Sequence, residues 1–324
     1  MRNKLIINSP ARLHIGFLDL QSQSSRMFGS IGLTIDNFVY NIKIEKSKNT
    51  HIICQNLIAK SKIKEIIKSI KKKYSIGNFT INILNEIPLH MGLGSGTQLA
   101  LSIGFLISEC FELKLSTDRL ALILKRGRRS GVGIESFKKG GVNIDVGKIR
   151  NSKKIPLNLM NIKWPKAWRI LLLMDSNITG VHGKKEIKEF KELNVSDSKM
   201  SNLNCKSLVM NIIPGIIECN FREFSFGLRN IQDNMSTIFY GSPRRFASKN
   251  LEKIFLDIEK RGILSFGQSS WGPTGFIFFE NSKKRNELLN YLENYISLNN
   301  MHGLKILKVE GRNFGKKFVN EGDL

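Results

Sequence analysis

Cysteine is scarce in this chain, which has only four cysteines among 324 residues and no CxxC pair. The four are widely separated: Cys54, Cys110, Cys205 and Cys219. Such spacing excludes the usual zinc site built from cysteine pairs, and it favours reduced thiols. We therefore expect a cytoplasmic protein without a cysteine-bound zinc ion.

Long apolar runs are also missing. No run approaches the roughly 18 apolar residues that a transmembrane helix needs, so we expect no membrane partner. The first residues, MRNKLIINSPARLHIGF, lack the apolar centre and small-residue cleavage site of an export signal. We expect them to form the first strand of the fold.

Acidic residues are few: 27 stand against 51 basic residues, for a net charge of +24. Such an excess can attract nucleic acid, membranes or phosphorylated metabolites. The surplus is mostly lysine in segments rich in Ile and Asn, such as IAKSKIKEIIKSIKKKYSIGN, and a compositional bias of the genome would also produce it. Because the basic residues are not interleaved with aromatic ones, we expect no specific nucleic-acid partner.

Strand-like and helix-like segments are mixed without regular βαβ alternation, which predicts an α+β fold. We divide the chain into domains at 1–165 and 166–324, because Pro165 precedes the buried run WRILLLMD. KELNVSDSKMSNLNCKS has no period and is predicted to be a mobile loop. The predicted strands are 4–17 (a pair broken at Pro10), 33–45, 79–87, 137–147 (a pair around Gly140 and Gly141), 168–175, 263–267, 275–280 and 304–310. The predicted helices are 59–74, one opening after residue 94, 116–126, 183–192, 206–219, 221–239, 246–261 and 282–298.

A glycine run, PLHMGLGSGTQLALSIG at 88–104, precedes one of these helices. A helix start exposes unpaired N–H groups and the positive end of the helix dipole, and glycines allow an anion to approach closely. We expect the loop at 88–98 to bind phosphate or pyrophosphate, with a tight turn before a packed helix as the alternative. No GK[ST] follows, which excludes a Walker A loop, and Glu112 does not end a second strand as a Rossmann acid would. The predicted substrate-binding residues of the loop are Gly92, Leu93, Gly94, Ser95, Gly96 and Thr97.

The pattern Pro-x-x-x-Gly-Leu-Gly-Ser-Gly resembles the phosphate loop of the GHMP kinase superfamily. SPARLHIGFLDL at 9–20 and SFGQSSWGPTGFIFF at 265–279 resemble its N-terminal and C-terminal motifs. This resemblance implies an N-terminal domain like domain 2 of ribosomal protein S5 and a ferredoxin-like C-terminal domain.

The stretch RRSGVGIESFKKGGVNIDVG departs from those kinases, because Gly133 stands where many of them carry a catalytic aspartate. Together with ARLHIGFLDL, MGLGSGTQLALSIG and ITGVHGKKEIKEF, it resembles the beta-ribofuranosylaminobenzene 5'-phosphate synthase family. That resemblance implies an enzyme of methanopterin-type cofactor synthesis. It would join phosphoribosyl pyrophosphate to 4-aminobenzoate or 4-hydroxybenzoate, release CO2 and pyrophosphate, and use Mg2+ with the pyrophosphate. An ATP-dependent small-molecule kinase is the alternative enzyme; an RNA-binding protein is the alternative outside enzymes. A homodimer is also open.

Arg12 and His14 are two residues apart on a predicted strand, so their side chains share one face. Arginine can bind a carboxylate or phosphate through two bonds, and we expect Arg12 to hold an anion and His14 to lie near the reacting centre. His182, in TGVHG, is the third predicted catalytic residue, because an imidazole can take the proton of the para group. Structural roles, or a helix cap for His182, are the alternatives.

The RGRRSG segment predicts a second phosphate site from Arg126, Arg128 and Arg129, with Ser130 beside them; a solvated basic face is the alternative. Glu135 and Asp145 are the acids nearest these glycines and are predicted to bind a metal or ribose hydroxyls, with structural roles in a turn or at a strand end as the equal alternative. The metal ligands stay open. Trp271 could stack on an aromatic substrate, although a core role is slightly favoured.

Overall fold

A computed structural model gives the fold and describes residues 4–20, 25–180, 188, 198–240 and 245–320. Its described part consists of two mainly antiparallel sheets with helices packed on them, which confirms the predicted α+β class. No helix in these ranges has both the length and the apolar character that a bilayer crossing requires. All four cysteines are free thiols.

Twelve strands are described. They are β1 (Lys4–Asp19), β2 (Arg26–Lys46), β3 (His51–Ile53), β4 (Phe79–Asn85), β5 (Val142–Asp145), β6 (Lys148–Ile149), β7 (Asn158–Ile162), β8 (Arg169–Asp175), β9 (Phe266–Gln268), β10 (Thr274–Phe279), β11 (Leu304–Val309) and β12 (Lys317–Asn320).

The α-helices of the described residues connect and cover these strands. They are α1 (Leu57–Lys71), α2 (Ser95–Cys110), α3 (Thr117–Ile123), α4 (Val132–Lys138), α5 (Ser198–Ser207), α6 (Ile213–Ile217), α7 (Phe221–Tyr240), α8 (Lys249–Lys260) and α9 (Ser282–Leu298), with a π-helical turn, Leu208–Ile212, between α5 and α6.

The first sheet runs in the order β12-β1-β2-β4-β3, and β5 and β6 also pair with the long strand β2. The second sheet has the order β11-β8-β10-β9. Successive side chains of a strand point to opposite faces, and β8 shows the consequence. Ile170 and Leu172 join the large core around the first sheet, whereas Leu171 and Leu173 pack with α8 and α9 in a second core.

The predicted domain boundary at residue 165 falls between β7 and β8, and it stays a prediction. The last described strand, β12, returns to the first sheet, where it pairs antiparallel with residues 5–8 of β1. Residues of the C-terminal half therefore complete the sheet that the N-terminal half begins.

Two strand predictions in the N-terminal half were wrong. Residues 4–17 form one continuous strand, because the register shift between Pro10 and Ala11 accommodates the missing N–H of the proline. Residues 137–147 are not a strand pair. They contain the end of α4, a turn at Gly140 and Gly141 that both have positive φ, and the single strand β5.

The loop predicted for 191–207 was wrong in its described part, since residues 198–207 form α5. Contact with β1 explains this helix, because the Asn204 side-chain amide donates to the Phe17 carbonyl at 3.2 Å. The helix predicted at 206–219 is instead the end of α5, the π-helical turn and α6. The helix predicted at 183–192 lies outside the described residues, apart from residue 188.

Candidate active site

The glycine run forms the start of α2, as predicted. Gly94 is the N-cap residue with a φ of 78°, and no side chain in the described part of the chain caps the helix. The carbonyl of Gly94 accepts the first helical bonds, from Thr97 N at 3.0 Å and Gln98 N at 3.2 Å. The N–H groups of Ser95 and Gly96 precede these bonds and are available to an anion at the helix start.

Arg12 fixes this loop from the first strand. Its backbone N donates to the Leu93 carbonyl at 3.1 Å, and its Nη1 donates to the Gly92 carbonyl at 2.6 Å. Ser269, from the C-terminal motif, donates its hydroxyl to the same Gly92 carbonyl at 2.8 Å. That hydroxyl also accepts from His14 N at 2.9 Å. The three motifs noted in the sequence therefore meet at Gly92.

A cleft of about 470 Å³ opens over the loop. It carries three basic side chains, those of Arg12, Lys62 and Arg126, and no carboxylate from the described residues lines it. Its surface therefore suits a phosphorylated anion better than a cation or a neutral group. The lining residues are Arg12, Ile58, Lys62, His90, Gly92, Gly94, Ser95, Gly96, Thr97, Arg126, Gly180, Ser270, Trp271 and Gly272.

His14 lies beside this cleft but does not line it. Its side chain is only 3% exposed and lines a cavity of about 20 Å³, which shares Ser270 with the cleft. Burial and the neighbouring Arg12 charge lower the pKa of His14 to about 3, against a weaker opposing contribution from its backbone. The imidazole is therefore neutral near pH 7, and its buried Nε2 has no hydrogen-bond partner among the described residues.

One arginine of the RGRRSG segment lines the cleft. Arg126 lines the cleft, while Arg128 is exposed and Arg129 is half-buried, both outside it. The hydroxyl of Ser130 is 2.6 Å from the hydroxyl of Ser30. The predicted substrate-binding roles of Arg128, Arg129 and Ser130 stay predictions.

Asp145 binds the end of the RGRRSG segment through hydrogen bonds. Its carboxylate accepts from Ser30 Oγ at 2.5 Å and from the N–H groups of Gly131 and Gly147, each at 2.8 Å. Burial raises its pKa to about 6, although these hydrogen bonds lower it. The residue is fully buried, so its observed contacts are those of a structural carboxylate.

Glu135 and Gly133 both lie on the short helix α4. The Glu135 carboxylate accepts from Lys138 Nζ at 2.8 Å and does not line the cleft, so its predicted role stays a prediction. A Cβ built on Gly133 would lie 3.2 Å from the Thr97 methyl carbon. The position that often carries a kinase aspartate thus faces the first turn of α2 without a carboxylate.

His182 and Trp271 are the remaining residues with a predicted role in substrate binding or catalysis. His182 lies outside the described residues, so its catalytic role stays a prediction. Trp271 lines the cleft but is only 5% exposed, and its ring packs on Phe239 with a centroid distance of 4.2 Å. This packing favours the core role, and stacking on a substrate stays a prediction.

A protein-held Mg2+ does not fit the donor set of the cleft. The described residues contain no group of three or more His, Cys, Asp or Glu side chains arranged to bind a metal, and the described cleft lining lacks a carboxylate. With the described lining alone, an Mg2+ ion that accompanies a pyrophosphate would take its ligands from the phosphates and water.

Sequence reasoning missed Lys62 and His90. Both line the cleft, and the Nζ of Lys62 is 3.2 Å from Nε2 of His90. One signal was present in the sequence: Lys62 lies between Ala59 and Ile66 on the buried face of α1, where a lysine is unusual.

The comparisons with known proteins agree with this geometry. The family described as GHMP kinases N terminal domain matches residues 61–144. A mevalonate pyrophosphate decarboxylase from Streptococcus pyogenes superposes with a TM-score of 0.67 at 14% identity, covering 96% of this chain and 98% of that one. A homoserine kinase from Cytophaga hutchinsonii superposes with a TM-score of 0.67 at 12% identity, covering 98% of both chains. The fold is the two-domain fold of the GHMP kinase superfamily.

Two curated proteins are similar to this chain over most of its length. Beta-ribofuranosylphenol 5'-phosphate synthase from Methanothermobacter thermautotrophicus is 28% identical over 294 residues, covering 83% of this chain and 87% of that protein. The protein of the same name from Methanocaldococcus jannaschii is 28% identical over 303 residues, covering 85% and 89%. Over most of its length the chain is similar to these synthases, which supports an enzyme on the GHMP kinase fold.

Proposed function

We propose that the protein is a phosphoribosyltransferase that joins phosphoribosyl pyrophosphate to 4-hydroxybenzoate or 4-aminobenzoate. The products would be a beta-ribofuranosyl-benzene 5'-phosphate, CO2 and pyrophosphate. The observation that supports this most is the cleft, whose described lining has three basic side chains and no carboxylate. The chain is also similar over most of its length to proteins named beta-ribofuranosylphenol 5'-phosphate synthase. Because that name specifies a phenol, we expect 4-hydroxybenzoate to be the better substrate.

The bonding changes explain why such a cleft is useful. The bond from ribose C1 to the pyrophosphate oxygen breaks, and its electron pair leaves with the oxygen. The ring carbon that bears the carboxylate forms the new bond to C1, and loss of CO2 then returns an electron pair to the ring. No net proton is released, so the leaving pyrophosphate gains one full negative charge. Groups that bind this charge stabilise the transition state more than the bound substrate.

The loop supplies such groups. N–H groups of Ser95 and Gly96 at the start of α2 would bind the phosphates, and glycines at 92 and 94 allow close approach. Arg12 would hold an anionic group of the substrate while its bond to Gly92 keeps the loop in position. His14 is neutral at pH 7 and lies beside the cleft, near the proposed reacting centre. The proposed acceptor of the para-group proton is His182, which lies outside the described residues.

The cellular location, metal ion and partners of the enzyme are also proposals. Four free cysteines agree with a cytoplasmic enzyme. We propose Mg2+ only as an ion that arrives with the pyrophosphate, and no step above depends on it. Small-molecule substrates are the proposed partners, without a specific nucleic acid, and a homodimer stays open.

Release of labelled CO2 tests the proposal. The purified protein is incubated with phosphoribosyl pyrophosphate, Mg2+ and carboxyl-labelled 4-hydroxybenzoate or 4-aminobenzoate. We expect CO2 and pyrophosphate in equal amounts; CO2 release that does not depend on phosphoribosyl pyrophosphate would contradict the proposal.

An ATP-dependent kinase is the second candidate, because residues 61–144 match the GHMP kinases N terminal domain. Gly133 counts against it, since it offers no carboxylate to activate an acceptor hydroxyl. Phosphorylation of a small alcohol from a panel, with a kcat of about 1 per second or more, would support the kinase and overturn the synthase proposal.

A further inference from the structure

Two cations other than Arg12 line the cleft, and neither belongs to the glycine motif. Lys62 extends from α1, and Arg126 follows α3, so different elements bring them to one cleft. A Cβ built on Gly96 would lie 3.6 Å from Nη1 of Arg126, so this guanidinium lies against the phosphate loop. Both side chains are partly buried.

Neither cation forms a close ion pair with a carboxylate of the described residues. Glu65 acts on both, but it is the weakest of the three causes that shift each pKa, and the buried Nε of Arg126 has no hydrogen-bond partner among the described residues. Burial, and then a neighbouring arginine, lowers the pKa of each: Arg126 acts on Lys62, and Arg128 acts on Arg126. Holding two partly buried cations together is unfavourable unless an anion binds between or beside them.

We propose that Lys62 and Arg126 bind the pyrophosphate of the substrate and stabilise its charge as it leaves. This inference rests on the proposed function. Arg126 lies against the loop that carries the free N–H groups of α2, and Lys62 lines the same cleft. A pyrophosphate offers two charged phosphoryl groups to these donors, whereas a single phosphate offers one. These cations do the work that carboxylate-held metal ions do in many pyrophosphate sites.

The Lys62 amine has a fixed direction because of His90. The backbone of His90 has a φ of 60°, a conformation that residues other than glycine rarely adopt. Its carbonyl accepts from Gly180 N at 3.0 Å, while its ring Nε2 meets Lys62 Nζ. With Nε2 as the acceptor, two protons of the ammonium group remain for phosphate oxygens.

Calorimetric binding of inorganic pyrophosphate tests the proposal without requiring turnover. The variants are Lys62→Met and Arg126→Gln, and the matched controls are Lys64→Met on α1 and Arg119→Gln on α3, both exposed. Each site variant should weaken pyrophosphate binding by about tenfold to a hundredfold. The controls should change it by less than about twofold after ionic strength is matched. Lys62→Arg should retain most of the affinity, since it keeps the charge.

Ribose 5-phosphate provides the second ligand, because the same cations could bind the other phosphate of the substrate. We expect its affinity to be unchanged in Lys62→Met and Arg126→Gln. A loss confined to ribose 5-phosphate would overturn the assignment to pyrophosphate. In CO2 release, the site variants should lower kcat more than they raise KM.

The failures of the two proposals differ. If wild-type protein releases CO2 and both site variants bind pyrophosphate normally, this inference is wrong and the proposed function stands. If wild-type protein neither binds pyrophosphate nor releases CO2, the proposed function is wrong and this inference falls with it.

Discussion

A methyl group at Gly94 should damage substrate binding through Arg12. Gly94 begins α2 with a φ of 78°, and a Cβ there would lie 3.1 Å from Cζ, 3.2 Å from Cγ and 3.2 Å from Nε of Arg12. These separations are tighter than ordinary van der Waals contacts. Gly94→Ala therefore requires the arginine to shift by a few tenths of an ångström, which disturbs its bond to the Gly92 carbonyl.

Two costs follow from this geometry. A left-handed conformation costs a residue with a Cβ about 1–2 kcal/mol of unfolding free energy. Moving Arg12 weakens its proposed charge-assisted contact to the substrate, and complete loss of such a contact would cost roughly 1.5–3 kcal/mol. We expect kcat/KM for phosphoribosyl pyrophosphate to fall by about tenfold to a hundredfold, since roughly 1.4 kcal/mol corresponds to tenfold.

Gly262→Ala is the matched control. Gly262 has a φ of 80°, yet a Cβ there would meet nothing within 4 Å. Both variants should lose similar stability in chemical denaturation, and only Gly94→Ala should lose activity in CO2 release. Wild-type kinetics for a folded Gly94→Ala protein would refute the assignment of the phosphate loop.

Three other changes test particular residues. Arg12→Ala should lower kcat/KM about tenfold to a hundredfold, and Arg12→Lys should restore only part because an ammonium lacks the guanidinium fork; near-normal kinetics for Arg12→Ala would mean a structural role. The pKa of His14 is lowered to about 3, so the unfolded chain binds the extra proton below about pH 6.5. His14 therefore removes about 1.4 kcal/mol of stability per pH unit as pH falls from 6.5 towards 3; denaturation of His14→Gln should lack this contribution, and an unchanged slope would contradict the burial argument. Asp145 affects the pH dependence of stability in the opposite direction. Its pKa is raised to about 6, so between about pH 4 and 6 the folded state binds the proton more tightly than the unfolded chain. The free energy of unfolding therefore falls by a similar amount per pH unit as pH rises from about 4 to 6. Asp145→Asn should remove that fall, and a slope like that of the wild type would show that the carboxyl is not perturbed.

Local sequence patterns were enough to predict those helices and helix ends that are determined by their own residues. The helix at 282–298 has apolar residues at helical spacing and Asn281 as its N-cap, and its bounds were predicted correctly. The start of α2 was found because three glycines and two hydroxyl residues define it without help from the rest of the chain.

Elements that depend on distant contacts were missed. The strand β5 forms because β2 and β7 pair with it on either side, and the two glycines before it leave room for only a short helix. Helix α5 depends on β1 in the same way. Lys62 is one lysine of several on α1, and only the packing of that helix shows that it reaches the phosphate loop.

The dependence of CO2 release on phosphoribosyl pyrophosphate tests the central claim most directly. Wild-type protein should release labelled CO2 from 4-hydroxybenzoate, with one pyrophosphate formed per CO2, and Gly94→Ala should do so about tenfold to a hundredfold less efficiently. No CO2 from either benzoate, with ATP-dependent phosphorylation of a small alcohol instead, would contradict it.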